Sequence, residues 1–495
     1  MWLNNGSPRI LMIGLDALEV SWVDRLLAQG RLPNLARLAQ SSARLTVRSD
    51  GFTLHGSLWP TFATGTPPGF HGVHFWQQWR AEEMRHVRNN HPAFAITPFW
   101  AALAPAGMTA TVIDLPHVPL VTERGFRGVA AWGLHDEMQE ASYPPKLLGR
   151  VRKRYGKHPL HFDTVEPQSG KDKRKMVGEM RRGIEMRLHL WTDIARRRNW
   201  NLLLGTVAEF HKMGHYLALP EDLGGGYTND DAIYDIVRAF DDGLSALIDA
   251  AGDDCEVFVF ALHGISGQVE YSSLGRQVLR AFAGEQPEDP EAAPDLVRRV
   301  RQLLPDGVHR AIWRRLPARI RSARQGVITT TGWDYTRDRL FTVTHDGHPA
   351  VRANVAGRER DGFVDAAEVP PLLDGLERFI LKLEAEGGLP AYGSLWRATR
   401  DAPGPRSHLL PDALMVANPD VPRTQRLSGP NGIEITTTRA EARNGIHTGA
   451  GFCFYRGSRT LPGTSTMDNL DFAPSVLSLL GLPPGGEMQG RSVFA

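Results

Sequence analysis

The sequence predicts an α/β protein with a mostly parallel sheet between layers of helices. Three observations carry that expectation. Short apolar runs recur that are too continuous for strands with one wet face. Each run ends on a turn or a polar residue. In the first third of the chain these runs alternate with segments of helical spacing. A continuous apolar run rich in aliphatic and β-branched residues reads as a strand covered on both faces. Alternation of such strands with helices argues for parallel pairing through crossover connections.

The elements follow in order. Residues 9–15 (RILMIGL) form the first expected strand and end on Asp16. Residues 19–38 carry apolar residues at helical spacing, interrupted at Gly30 and Pro33. Residues 57–62 open a second helical stretch that runs into Ala63-Thr64-Gly65 and a proline/glycine turn. Residues 109–114 (TATVID) read as another buried strand. Residues 201–208 (NLLLGTVA) lead into Glu209, His211 and His215, and residues 257–262 (VFVFAL) end on His263. Further on, residues 370–386 read as a helix, 412–416 as a strand, 451–455 as a strand and 472–481 as a helix.

Two regions interrupt this pattern. Residues 150–198 are crowded with Lys and Arg, which reads as a solvated helical face or as a basic lid over an anionic substrate. Residues 285–295 are acidic and proline-bearing, and 310–324 are basic with helical spacing. The expected division is a first core segment (1–134), a basic helical insertion (135–200), a second core segment (201–266), an insertion or cap (267–365) and a third core segment (366–495).

Composition narrows the class. The chain has 495 residues, 42% hydrophobic and 23% charged, as in soluble globular proteins. A net charge of +2 implies no strong field for nucleic acid or membrane. No apolar stretch has the length of a spanning helix, and no secretory leader is evident, so a cytoplasmic protein is expected. Cys255 and Cys453 sit in apolar segments and read as buried free thiols.

The chemistry concentrates where strands end. In open α/β sheets ligands bind beyond the carboxyl ends of the strands. Asp16, Glu209, His211, His215 and His263 all fall there. His211 and His215 are four apart, so on a helix they share a face and can grip a transition metal together. A pair of hydrogen-bonded histidines is the alternative. His263 precedes Gly264, which permits a close backbone approach. His447 lies in a glycine-rich loop, Asn444-Gly-Ile-His447-Thr-Gly-Ala-Gly451.

Taken in order, these segments resemble the alkaline phosphatase superfamily, and most closely its type I phosphodiesterase/nucleotide pyrophosphatase branch. The resemblance covers most of the chain. Ile13-Gly-Leu-Asp16 resembles the opening strand and its metal-binding Asp. Residues 59–72 (WPTFATGTPPGFHG) resemble the nucleophile helix and the turn after it. Glu209 to His215 resembles the E-P-D-x-x-G-H segment, and Ala261 to Gly264 the S-D-H-G segment. Residues 352–362 resemble a stretch common in bacterial members, and His447 matches the late metal histidine.

The resemblance implies an alkaline-phosphatase-like core with inserted cap regions and a metal-dependent hydrolase of small phosphoric esters. It implies one or two divalent ions, Zn first, with Mn or Fe also compatible. One site would be His211, His215 and His447; the other Asp16, His263 and the nucleophile oxygen. Two departures matter: His211 stands where the family has Asp, and Leu262 replaces the Asp of S-D-H-G. Counting back from Gly65 places the nucleophile at His55, which is no alcohol. Ser57, just before the expected helix, is the preferred nucleophile because a helix N-terminus favours an alkoxide and phosphate. His55, Thr53 and Thr61 are the alternatives, and His55 could be a replacement ligand. His55, Arg352 and Asn354 are candidate substrate-binding groups; Arg352, Asn354 and Glu359 could equally form a buried polar network. His71 reads as structural.

A degraded family member that binds an anionic or phosphorylated ligand is the competing expectation, motivated by Leu262. A sulfatase is disfavoured because neither cysteine lies in a C/S-x-P-x-R motif. A metalloprotease is disfavoured because Lys212 follows the first histidine where H-E-x-x-H requires Glu.

Overall fold

The structure is a computed structural model. It describes residues 8–494 except 89–91, 135–139, 161–166, 168, 268–271, 287–332, 422–425, 437–443 and 462–464. The expected basic helix at 310–324 and nearly all of the acidic stretch at 285–295 lie outside the described residues. The chain divides into two units. Unit 1 comprises residues 1–67, 92–267 and 442–495, and unit 2 comprises 68–91 and 268–441. Residues 366–441, which the sequence assigned to the core, cluster with unit 2.

Unit 1 holds a nine-stranded sheet. Its order is Thr466–Asp468, Ala43–Arg48, Ala450–Arg456, Cys255–Ala261, Arg9–Leu15, Leu202–Val207, Ala110–Ile113, Phe126–Ala130 and Ala141–Tyr143. Of these strands, Ala450–Arg456 and Ala141–Tyr143 run against the rest. The fold is the expected α/β class, with a large, mostly parallel sheet flanked by helices. Each residue of Arg9–Leu15, Leu202–Val207 and Cys255–Ala261 is buried, which is why their sequences are apolar without alternation.

Successive residues still serve opposite faces. Leu11, Ile13, Leu203, Val207, Val257 and Val259 pack into one apolar layer with the helices Gly170–Ala195 and Asn229–Ala251. Ile10, Met12, Leu202, Leu204, Phe258 and Phe260 pack into the other, with Leu58–Thr64 and Phe472–Leu479.

The helices start where the chain supplies caps. Ser169 accepts from the Asp172 amide at the head of Gly170–Ala195. Thr228 and Asp231 form a reciprocal capping box before Asn229–Ala251. The basic segment at 150–198 thus becomes Leu147–Tyr155 and the 26-residue helix Gly170–Ala195. Most charges of the long helix are on one face, while Met176, Met180, Ile184, Leu188 and Trp191 line the other and enter the core.

Unit 2 is built on a four-stranded sheet in the order Leu340–Val343, Ala350–Ala353, Ala413–Ala417, Tyr392–Arg397, paired antiparallel. Helices Gly275–Phe282 and Val369–Ile380 accompany it. The helix expected to reach residue 386 stops at Ile380. A turn follows, and Glu384–Ala385 joins a small three-stranded sheet whose other strands are Arg426–Ser428 and Glu434–Thr436. Among the described residues no helix is long and apolar enough to cross a membrane.

Candidate metal centre

Strand register brings the candidate ligands together. Leu15 pairs with Val207 and Gly14 with Phe260, so the three central strands end at one level. Asp16, the His211 helix (Glu209–Leu217) and His263 therefore emerge at one edge of the sheet. His447 was expected in a loop before a strand. It lies instead within the strand Gly445–Thr448, which pairs antiparallel with Gly264–Gly267 just beyond His263. Glycines allow that ladder to sit against the His211 helix. A Cβ at Gly445 would overlap the Gly214 carbonyl, and one at Gly214 would lie 2.6 Å from the Ile265 Cβ.

Four imidazoles and one carboxylate converge as a result. The His211 ring centroid is 4.7 Å from His215, 4.8 Å from His447 and 6.5 Å from His263; His263 is 4.9 Å from His447. His211 Nε2 is 2.9 Å from His215 Nε2, and His211 Nδ1 is 3.3 Å from Asp16 Oδ2. The other Asp16 oxygen accepts the Trp59 indole N–H at 2.8 Å. His215 Nδ1 is 3.0 Å from the Gly445 carbonyl. A carbonyl can only accept, so the His215 proton is on Nδ1 and its Nε2 presents a lone pair to His211.

Among the described residues two trios of ligand atoms are close enough to hold a cation: His211, His215 and His447, and Asp16, His211 and His263. His447 is 2% exposed, and neither of its ring nitrogens has a hydrogen-bond partner among the described residues. Burial pushes its pKa well below 6.5, and the neighbouring histidines push the same way. A buried neutral imidazole with unused nitrogens suits a metal ligand, since leaving such a group unpaired is costly. These residues therefore fit a divalent transition metal.

The turn before Leu58–Thr64 settles differently from its expectation. Ser57 is 1% exposed, and its hydroxyl donates to the Leu54 carbonyl at 2.7 Å instead of capping the helix. His55, two residues earlier, stacks on His447 with centroids 4.0 Å apart and planes 6° from parallel. The position reached by counting back from Gly65 is thus the one that meets the histidine cluster. Leu262 is fully buried and belongs to the apolar layer with Phe62, Phe260 and Phe472.

Arg352 and Asn354 lie in unit 2. The Arg352 guanidinium is 2% exposed and donates to Glu359 at 2.6 Å and to the Leu410 carbonyl at 2.6 Å. Arg358 bridges Glu359 and Asp412, while the Asn354 amide donates to the Tyr335 carbonyl. These contacts make the buried polar network that was the alternative reading. His71, also in unit 2, accepts the Val73 N–H, and burial lowers its pKa to about 3.

Sequence reasoning missed the support beneath the His211 helix. Arg187 is fully buried and donates to Asp114 at 2.7 Å and to the Gly133 carbonyl at 2.8 Å; its Nε is 3.3 Å from Glu209. His158 Nε2 lies 2.8 Å from the other Glu209 oxygen. Burial works to raise the Glu209 carboxyl, but Arg187 and His158 hold it below its ordinary value. Glu209 opens the helix, where a negative charge also suits the helix dipole. The available signal was Arg187 itself, a charge on the apolar stripe of its helix, three residues after Ile184.

The fold is of the alkaline-phosphatase type, and the carboxyl edge of its sheet gathers histidines beside a carboxylate. The sequence profile of the type I phosphodiesterase/nucleotide pyrophosphatase family matches residues 10–348, and the chain belongs to that family. No curated protein sequence matches it.

Solved structures share the fold at low identity. Murine ectonucleotide pyrophosphatase/phosphodiesterase 5, an inactive variant in complex with AMP, is 12% identical with a TM-score of 0.52, over 97% of this chain and 96% of that one. Phosphonoacetate hydrolase from Sinorhizobium meliloti, in complex with phosphonoformate, is 13% identical with a TM-score of 0.52, over 96% of each. The wild-type alkaline phosphatase PafA is 13% identical with a TM-score of 0.52, over 99% of each.

Proposed function

We propose that this protein is a metal-dependent hydrolase of small phosphoric esters, with the cation held by His211, His215 and His447. The observation that carries the reading is the facing pair of Nε2 atoms, 2.9 Å apart, beside a buried His447 with unused nitrogens. A divalent ion supplies Lewis-acid stabilisation of the negative charge that builds on phosphoryl oxygens during in-line displacement. Zn suits a three-imidazole set, and Mn or Fe remain compatible with it.

The chain's own residues orient the reaction. Glu209 and Arg187 fix the start of the helix bearing two of the three histidines. Ser57 is the proposed nucleophile. Its oxygen would bond to phosphorus as the ester P–O bond breaks and the alcohol leaves with a proton. Water would then restore the hydroxyl and release phosphate from a monoester substrate or a phosphomonoester from a diester. To do this Ser57 must first give up the Leu54 carbonyl.

A second reading, a non-catalytic binder of a phosphorylated ligand, is favoured by Leu262, whose side chain packs in the apolar layer. Turnover of a phosphodiester and a phosphomonoester panel by metal-loaded protein separates the two. Hydrolysis that disappears on chelation and in His215→Ala supports the hydrolase. Metal uptake with no turnover on any ester favours the binder.

A further inference from the structure

We propose that this centre is built for one cation, and that Asp16 is not a ligand but the carboxylate that orients His211. The inference rests on the metal-centred reading above and goes beyond it.

The two candidate trios share His211. A neutral imidazole has one lone pair and one N–H, so it can ligate one ion. Its two nitrogens face different neighbours: Nε2 faces His215 at 2.9 Å, and Nδ1 faces Asp16 at 3.3 Å. A lone pair on Nδ1 would face a carboxylate oxygen, which is repulsive. A proton on Nδ1 makes that contact attractive and turns the Nε2 lone pair toward His215. His215 places its Nδ1 proton on the Gly445 carbonyl and turns its Nε2 lone pair inward. Both ligands thus have an acceptor beside the outer nitrogen, through a hydrogen bond for His215 and through a longer charge contact at 3.3 Å, short of hydrogen-bond geometry, for His211, and their inner nitrogens face each other. Outer-sphere acceptors of this kind fix the tautomer and orientation of metal-binding histidines.

The second trio is depleted by three independent features. Without His211 it retains Asp16 and His263. Leu262 supplies no donor and is buried among aromatics. The position that counting back from Gly65 reaches is His55, an imidazole stacked on His447 in place of an alcohol. Asp16 is itself anchored by Trp59, so one oxygen is held in place and the other is set toward His211. The approach of Trp59 depends on Gly14, where a Cβ would overlap the indole.

The test is titration of the metal-free full chain with Zn²⁺ and Co²⁺, read by calorimetry, elemental analysis and the Co²⁺ visible spectrum. One equivalent per chain is expected. Asp16→Asn should still bind one equivalent, with affinity weakened about 10–100-fold and the Co²⁺ band shape retained, because the donor atoms are unchanged. His447→Ala should lose the ion, and His263→Ala should keep it. The melting temperature of each metal-free variant reports whether it folds.

Two equivalents in the wild type, with one lost in Asp16→Asn, would overturn the proposal while leaving the hydrolase reading intact. Loss of the ion in His263→Ala but not in His447→Ala would also overturn it. So would an Asp16→Asn variant that folds and binds as tightly as wild type. No uptake by the wild type at millimolar Zn²⁺ or Co²⁺ would overturn both readings.

Discussion

Replacing Arg187 by Met should be the most damaging single change outside the metal centre. The guanidinium is fully buried and is the cation between two buried carboxylates, Asp114 and Glu209. Methionine fills much of the stem's volume, so the cavity left is small and the loss is mainly electrostatic. Removing one partner of a buried ion pair costs roughly 3–5 kcal/mol, because the remaining charge has no water to replace it. Asp114 retains two amide donors, Trp132 and Gly133, at 2.9 Å, and Glu209 retains His158. Those contacts keep the cost within that range instead of doubling it.

With a urea slope of about 3 kcal/mol/M, this corresponds to a midpoint lower by roughly 1–1.7 M at pH 7. Urea unfolding followed by both fluorescence and far-UV dichroism measures it, and agreement of the two probes justifies the two-state treatment. Neutralising the stranded acids, as Asp114→Asn with Glu209→Gln, should recover part of the loss. A midpoint within about 0.3 M of wild type for Arg187→Met would refute the argument, since that is less than about 1 kcal/mol.

Other outcomes follow from the same geometry. His215→Ala should bind no stoichiometric Zn²⁺ and lose any ester hydrolysis, checked by elemental analysis and assay of one preparation. Gly445→Ala places a methyl on the Gly214 carbonyl and should displace the His447 strand, lowering metal affinity measured by competition with a chromogenic chelator. Leu262→Asp should cost roughly 3–5 kcal/mol, from lost burial and an unpaired acid in an aromatic layer, and should not add a second ion. Glu209 is held below its ordinary value of 4.5, so its contribution is fully present above that pH and is lost as pH falls through the folded value. Urea midpoints between about pH 3 and 7 should therefore fall at the acid end, and Glu209→Gln should flatten that slope.

The sheet was legible because its central strands are covered on both faces. RILMIGL, NLLLGTV and VFVFAL admit few other readings, and their ends pointed directly to Asp16, His211, His215 and His263. The late His447 was visible only through resemblance, since nothing local distinguishes a histidine among glycines. Its strand forms because Gly264–Gly267 lies opposite, a pairing across nearly 180 residues that no local pattern encodes. Ser57 and His55 show another limit. Both sit in the right turn, but which one faces the cluster depends on a short 3-10 turn, His55–Ser57, that spacing alone does not reveal. Arg187 was read as one of many surface charges because charge density hid its position on an apolar stripe.

The strand Ala450–Arg456 lies between Ala43–Arg48 and Cys255–Ala261, a wedge from late in the chain driven into a sheet made largely from early segments. Until that wedge arrives, two strand edges stand open, each a template for pairing with another chain. The strand that fills the gap, Ala450–Arg456, follows His447 by only a few positions. Closure of the sheet and completion of the histidine cluster thus draw on one short stretch of chain. A chain interrupted before residue 447 would lack both the wedge and the last histidine of the cluster, and would leave two strand edges open to other chains.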